Sequence, residues 1–207
     1  CADLSVQHLS MQRAVLPQAS RLAFPFTVLE VVRLGLTAGM GVDRLEDREY
    51  LPQEALCRVG LSGFEGRMFQ ELSGGEKQRV QLARVLVQIW QPVWQGKPRW
   101  LLLDEPVSAL DIGHQMMVMQ IAKDYAAEGG GVVAVMHDLN LTAMFADSVA
   151  LLDRGQLVKQ GTPQEVFTTD ILRKTYACPV QMNTAPAENT PWLLPQSVVM
   201  PSRAAAE

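Results

Sequence analysis

Basic charge, cysteine and long apolar runs are all scarce in this chain, and each shortage excludes a class of protein. Lys and Arg number 18 against 22 Asp and Glu, a formal net charge of −4 over 207 residues. That balance offers no bulk attraction to nucleic acid or to an anionic lipid surface. The three cysteines, Cys1, Cys57 and Cys178, have neither metal-ligand nor redox spacing. They fit a reducing compartment rather than a disulfide scaffold. The longest apolar runs, 100–103 and 132–136, fall far short of the roughly 20 residues that a membrane-crossing helix needs. No basic stretch and apolar core follow the opening Cys-Ala-Asp, as they would in a secretory signal. The lack of an initiating methionine leads us to expect that a longer protein continues upstream. No internal repeat is visible.

What is present suits a folded domain. Apolar residues make up 48% and charged residues 19%, enough for one substantial core or a domain with a lobe inserted in it. The rest is organised around residues 72–79, LSGGEKQR. Ser73 with Glu76 three positions on forms a capping box, which predicts a helix start. Two glycines between them are poor helix formers, but a bare backbone lets something approach closely. Free amides and the positive dipole end at such a tip make an anion site. An ordinary capped helix burying Val80, Ala83, Val87 and Trp90 is the competing reading.

In chain order, residues 1–12 predict a short helix and 13–16 a strand stopped by Pro17. Gln18 then stands at a strand end, where open α/β sheets bind ligands. Residues 19–71 read as helical and irregular. Thr27 and Glu30 form a second capping box, Gly39 and Gly41 break the pattern, and a further helix is expected over 47–59. The Ser73 helix should run to about residue 90, before a loop over 91–98. Residues 100–103 and 132–136 read as buried parallel strands, with a helix over 113–127 between them. A helix over 139–146 follows, then a hairpin turning at Arg154-Gly155. Thr162-Pro163 opens a short helix and 170–176 forms another. Prolines from Pro179 onward predict a loosely ordered tail.

Asp104 and Glu105, side by side at the end of an apolar strand, can divide the work of phosphoryl transfer. One carboxylate joins the shell of a divalent ion and the other orients or deprotonates the attacking water. His137, at a third strand end, can donate to a phosphate oxygen or help hold that water. A lone histidine is more often structural, and an isolated glutamine such as Gln18 is more often a polar loop residue. His8 and His114 have no such context and read as structural or surface residues.

Residues 72–84, LSGGEKQRVQLAR, resemble the signature motif and following helix of ATP-binding cassette (ABC) ATPases, and the other motifs fall in that family's order. LLLDEP is similar to its Walker B strand and adjoining glutamate, and Ser108-Ala109-Leu110-Asp111 to its D-loop. His137 matches its switch histidine and Gln18 its Q-loop glutamine. The resemblance implies an α/β fold of the P-loop NTPase type, a truncated RecA-like lobe with an inserted helical lobe. Residues 1–18 would end the N-terminal part of the ATPase lobe and 19–90 form the helical lobe and signature helix. Residues 91–178 would return to the ATPase lobe, with 179–207 as the tail. ATP and Mg2+ are the implied ligands. Ser73, Gly74, Gly75, Glu76 and Asp111 would bind ATP, Asp104 and Gln18 the metal, and Glu105, His137 and Gln18 would be catalytic.

One motif of the family has no counterpart here: nothing reads G-x-x-x-x-G-K-[ST], the loop that cradles the phosphates. We therefore expect the 207 residues alone to bind ATP weakly or not at all, an expectation that a magnesium-dependent ATPase rate would contradict. No coiled-coil heptads occupy 19–71, which favours a transport subunit over chromosome-maintenance relatives. RAVLPQ, LAFPFTVLEVVRLG, SALDIGHQ and MHDLNLTAMFAD are similar to segments of iron-siderophore, cobalamin and haem importers, haemin importers above all. The implied partners are a second ATPase subunit, two membrane permease subunits and, indirectly, a periplasmic haem-binding protein. Nucleic acid is not among them. The implied place is the cytoplasmic face of the inner membrane. Phe24 and Phe26 are candidates for the permease contact, with plain core packing an equal reading. A soluble ABC ATPase acting without a permease is the alternative from another class.

Overall fold

The computed structural model describes residues 5–18, 24–38, 45–185 and 191–198. Gly39 and Gly41, expected to break the helical pattern, lie outside them, as do Pro186 and Pro201 of the tail. The chain divides into two compact units, residues 1–137 and 138–207.

The first unit is built on a parallel sheet. Helix α1 (Val6–Gln12) leads directly into β1 (Arg13–Leu16). β1 pairs in parallel with β4 (Trp100–Asp104), and β4 in turn with β5 (Gly131–Val135). The register sets Leu16 opposite Leu103 and Asp104 opposite Val135. All three strands therefore end at one edge, and Gln18, Glu105 and His137 each follow just beyond a strand end. Ala14, Leu16, Leu101 and Leu103 fill the inward face.

The outward face departs from the expectation of fully buried strands. Val15 is 47% exposed, Trp100 44%, Val133 52% and Val135 54%. Parallel strands read as continuous apolar runs because both faces are normally covered. Here helices cover the inward face, and the apolar outward face stays accessible in this chain.

Three helices pack together beside the sheet: α2 (Val28–Ala38), α3 (Leu45–Arg58) and α4 (Gly74–Gln88). α4 was expected to bury one stripe, yet Val80, Leu82, Ala83, Val85, Leu86 and Val87 are all buried. The reason is its position, against α2 and α3 as well as against β1. Arg79 of α4 is itself buried and donates to the carbonyls of Val59 and Gly60, at 2.8 and 3.1 Å. It so neutralises the negative end of α3. At the other end of α4, Gln88 ties down the α1–β1 junction through the carbonyls of Ser10 and Arg13.

The segment expected to be a loop over 91–98 holds a small hairpin, β2 (Val93–Trp94) and β3 (Lys97–Pro98). Gln95 and Gly96 both take positive φ, 52° and 72°, the two-residue turn that suits a twisted hairpin. The guanidinium of buried Arg99 stacks 5.2 Å from the Trp94 ring centroid. Helix α5 (Ile112–Ala127) packs against β5.

The second unit holds α6 (Leu139–Phe145), the hairpin β6 (Val149–Asp153) and β7 (Gln156–Gly161), α7 (Pro163–Val166) and α8 (Thr169–Tyr176). Leu151, Val166, Phe167 and Leu172 form its core. The described start of the tail is more fixed than expected, because Val180 and Met182 pack on that core. Arg173 Nε donates to the Val180 carbonyl at 2.8 Å, and the Met182 amide to Thr169 Oγ1 at 3.2 Å.

Among the described residues three capping boxes start helices. In α2 the Thr27 amide and hydroxyl donate to Glu30 Oε2 at 2.7 and 2.8 Å. In α4 the Ser73 amide donates to Glu76 Oε2 at 2.7 Å. In α7 the Thr162 amide donates to Glu165 Oε2 at 2.8 Å. The backbone bonds foremost, and the hydroxyl bonds after them, hold all three carboxyls below the ordinary glutamate value. A depressed folded value gives stability that is complete above the unfolded value, about 4.3, and lost as pH falls through the folded one. The urea midpoint should therefore hold steady down to about pH 5 and fall below it. Replacing Glu30, Glu76 and Glu165 together by Gln should flatten that fall, and an unchanged profile would contradict the assignment.

Gly35 marks the closest approach of α2 to α4. A Cβ there would sit 2.1 Å from the Arg84 carbonyl oxygen, which cannot move without breaking α4. Gly35→Ala should cost about 3 kcal/mol, read as a lower urea midpoint, by forcing the two helices apart.

Candidate functional site

The shared edge of β1, β4 and β5 gathers three polar side chains. His137 Nε2 lies 2.7 Å from Glu105 Oε1, and the Gln18 side chain hydrogen-bonds the same carboxylate. Glu105 is largely enclosed, with its side chain 18% exposed, while that of His137 is 75% exposed. The bond to His137 is the main cause that holds the Glu105 carboxyl below its ordinary value. The bond to Gln18 adds to it, and both together outweigh the opposing effect of partial burial. Glu105 is thus kept anionic, the state in which a carboxylate can accept a proton from water.

The backbone of Glu105 is unusual. Its φ is 48°, in the left-handed region that a side-chain-bearing residue rarely enters. Its amide donates to the Val135 carbonyl at 3.1 Å, continuing the β4–β5 ladder one residue further. Its own carbonyl accepts from Gln78 Nε2 at 2.9 Å and from Ser108 Oγ at 3.2 Å.

Asp104, the last residue of β4, lies in register with Val135 and alternates with Leu103. It therefore belongs to the outward face of the sheet, on the side of Trp100 and Leu102, and is half-buried.

At the start of α4 the two glycines have different surroundings. A Cβ on Gly74 would meet nothing within 4 Å, so no packing inside this chain demands a glycine there. A Cβ on Gly75 would sit 3.1 Å from the Ala109 carbonyl oxygen and 3.2 Å from Leu110 Cδ2. Gly75 thus admits the 108–111 turn against the helix. With Ser73 and Glu76 closing the box on one another, the amides of Gly74 and Gly75 are the first of α4 and have no helical acceptor available.

Asp111 is placed elsewhere. It caps α5, its Oδ1 accepting the His114 amide at 2.9 Å and its Oδ2 lying 2.7 Å from His114 Nδ1. Both oxygens serve the helix that it starts, and His114 has a structural partner, as a surface residue would. The geometry brings Gln18, Glu105 and His137 together, sets Ser73, Gly74, Gly75 and Glu76 at a separate helix tip, and leaves Asp111 as a cap. Sequence reasoning singled out the stretches that hold Gln78 and Ser108 but missed that both side chains bond the Glu105 carbonyl. No residue pattern announces a contact between positions 78 and 105, although a carboxylate that must turn sharply after a strand was a signal that its carbonyl needs donors.

A parallel sheet whose strand ends carry a carboxylate, a histidine and a glutamine, beside a glycine-bearing helix tip, defines a nucleotide-hydrolase type of α/β site. The chain belongs to the ABC transporter family, whose profile matches residues 2–108. It is 66% identical to the hemin import ATP-binding protein HmuV of Jannaschia sp. (strain CCS1), over 94% of this chain and 70% of that protein. It is 51% identical to the protein of the same name from Rhizobium meliloti (strain 1021), over 96% of this chain and 75% of that one. Among solved structures it resembles the ATP-binding cassette MJ0796, a dimer in a post-hydrolysis state bound to ADP and Pi. The TM-score is 0.65 and the identity 27%, over 78% of this chain and 68% of that one. It also resembles cbiO1 of Clostridium perfringens, part of the ABC transporter complex cbiONQ. There the TM-score is 0.60 and the identity 25%, and this chain spans 62% of that one's length.

The left-handed turn at Glu105 is a local cost that the side chain's chemistry must justify. Glu105→Gly should relieve the backbone strain, since glycine enters that region freely, while giving up the bonds to His137 and Gln18. The measurement is a higher urea midpoint at unchanged slope, and a lower midpoint would show that the side-chain bonds outweigh the strain.

Proposed function

We propose that this chain is the hydrolytic part of an ATP-binding subunit that powers haemin import, working as a pair of copies on two membrane permease subunits. The observation that carries the reading is the meeting of Gln18, Glu105 and His137 at the ends of three parallel strands. Glu105, held anionic, accepts the proton of the attacking water. Gln18 and His137 fix the direction of its carboxylate, and exposed His137 can donate to a transferring phosphate oxygen. The Ser73–Gly75 tip of one copy offers its bare amides to the triphosphate bound by the other, with Glu76 locked in the cap behind it. We assign Asp111 to setting the α5 start rather than to nucleotide contact.

Among the described residues no group of three or more His, Cys, Asp and Glu can hold an ion. In this reading Asp104 and Gln18 would hold Mg2+, an ion that takes only one or two protein carboxylates and completes its shell with phosphates and water. Bound there, Mg2+ would neutralise phosphate charge.

Closure of the pair drives the permeases through the helical region. Phe24, 67% exposed and stacked edge-on to Phe26 at 6.4 Å, is our candidate contact. Gln70 donates to the Phe24 carbonyl at 2.6 Å, and Lys77 of α4 to the Gln70 carbonyl at 2.8 Å, so this apolar corner is roped to the helix tip. No helix among the described residues is long and apolar enough to cross a membrane. The subunit's place at the cytoplasmic face of the inner membrane therefore rests on the permeases. A periplasmic haem-binding protein delivers the cargo, which never meets this subunit.

The test is the full-length protein assembled with its permeases in lipid vesicles. Haemin supplied with its binding protein should stimulate ATP hydrolysis and accumulate, while a ferric siderophore and cobalamin should do neither. Glu105→Gln should lower turnover about 100-fold or more with ATP binding retained. Transport of cobalamin or siderophore in place of haemin would overturn the cargo assignment. Rapid turnover by Glu105→Gln would overturn the role of the carboxylate.

A further inference from the structure

We infer that Gln78 is a positioning residue for Glu105, and that through it the tip of α4 sets the geometry of the carboxylate within the same copy. The inference rests on the reading of Glu105 as the group that activates water.

Three observations carry it. First, Glu105 stands in the left-handed region, φ 48°, a conformation that persists only where surrounding contacts over-determine it. Its carbonyl, which this turn directs out of the ladder, accepts from Gln78 Nε2 at 2.9 Å and from the hydroxyl and amide of Ser108 at 3.2 and 3.4 Å. Gln78 is the donor that comes from outside the turn. Second, the other end of the Gln78 amide has no partner among the described residues, and its Oε1 is buried. The bond to Glu105 is thus the hydrogen bond that orients this side chain. A helix that needed only to pack here would bury an apolar residue at lower cost. Third, the same stretch of α4 touches the following turn again, where Gly75 admits Ala109 and Leu110 at contact distance. The first two turns of α4 and the 105–110 segment are clamped at two points, so they shift together. A ligand engaging Ser73, Gly74 and Gly75 then acts directly on the peptide that aims the Glu105 side chain at Gln18 and His137.

The experiment uses the full-length protein in its vesicle-reconstituted importer, with Gln78→Met, which keeps length and removes the donor. kcat should fall about tenfold, with KM for ATP little changed, since the loss is of aim rather than of binding. A role confined to packing would change stability and leave kcat of the folded protein in place. If Gln78→Met does not fold, Ser108→Ala removes a second donor from the same carbonyl at an exposed site and should give the same fall in kcat at smaller amplitude. Wild-type kcat in whichever variant folds, or a loss of turnover that comes from a raised KM instead of a lowered kcat, would overturn the inference. Glu105→Gln, measured alongside, separates the two failures. If it turns over normally, the role of Glu105 falls and this inference with it; if it is inactive while Gln78→Met behaves as wild type, only the inference falls.

Discussion

The structure of the site hangs on one strained peptide at the end of β4. Glu105 leaves the sheet through a left-handed turn, and each of its polar groups is held by a different part of the fold. Its amide bonds to β5 through Val135, its carbonyl to α4 through Gln78, and its carboxylate to the ends of β5 and β1 through His137 and Gln18. Any one of these contacts contributes little by itself. Together they make a single orientation of the carboxylate the one in which all bonds are satisfied, which is how a fold stores strain where chemistry needs aim.

That arrangement explains the burial of α4. A helix that only carried an anion-facing tip could lie on the surface with one apolar stripe. α4 instead runs between the other helices and β1, with Arg79 capping α3 and Gln78 reaching the sheet edge. Its tip stays bare, with Gly74 open to the outside, while its body is fixed on every side. The sheet has the opposite character: one face is sealed, and the other presents Val15, Trp100, Val133 and Val135 to solvent together with the side on which Asp104 lies. A bare tip and an open sheet face both suit a site completed by further chain.

Much of this was legible in the sequence because the signals were local. Capping boxes at Thr27 and Ser73 and the Thr162-Pro163 cap start helices as the sequence implies, and the Arg154-Gly155 turn closes a hairpin. The strand ends at Gln18, Glu105 and His137 could be read from apolar runs that stop at polar residues, and parallel pairing brings them to one edge. What stayed hidden was non-local. The hairpin at Gln95-Gly96 looked like a loop because Pro92 and Pro98 read as breakers, and two strands of two residues leave no alternation to detect. The exposure of the outward sheet face could not be seen because an apolar run is the same whether or not a layer lies over it. Asp111 resembles a nucleotide contact through its motif, and its bonds to the amide and ring of His114 at the start of α5 are not announced by the sequence. The Gln78–Glu105 bond spans 27 positions and has no sequence signature.

Whether the helix tip of one copy and the carboxylate of the other serve the same triphosphate is measured directly in mixed pairs of the full-length subunit. One pair carries Ser73→Arg in one copy and Glu105→Gln in the other; a second carries both changes in one copy beside an unaltered partner. If the sites form across the pair, splitting the changes leaves one site intact and up to about half of the ATP turnover, whereas combining them in one copy spoils both sites. Turnover in the combined pair and none in the split pair would contradict the account, because each copy would then be completing its own site.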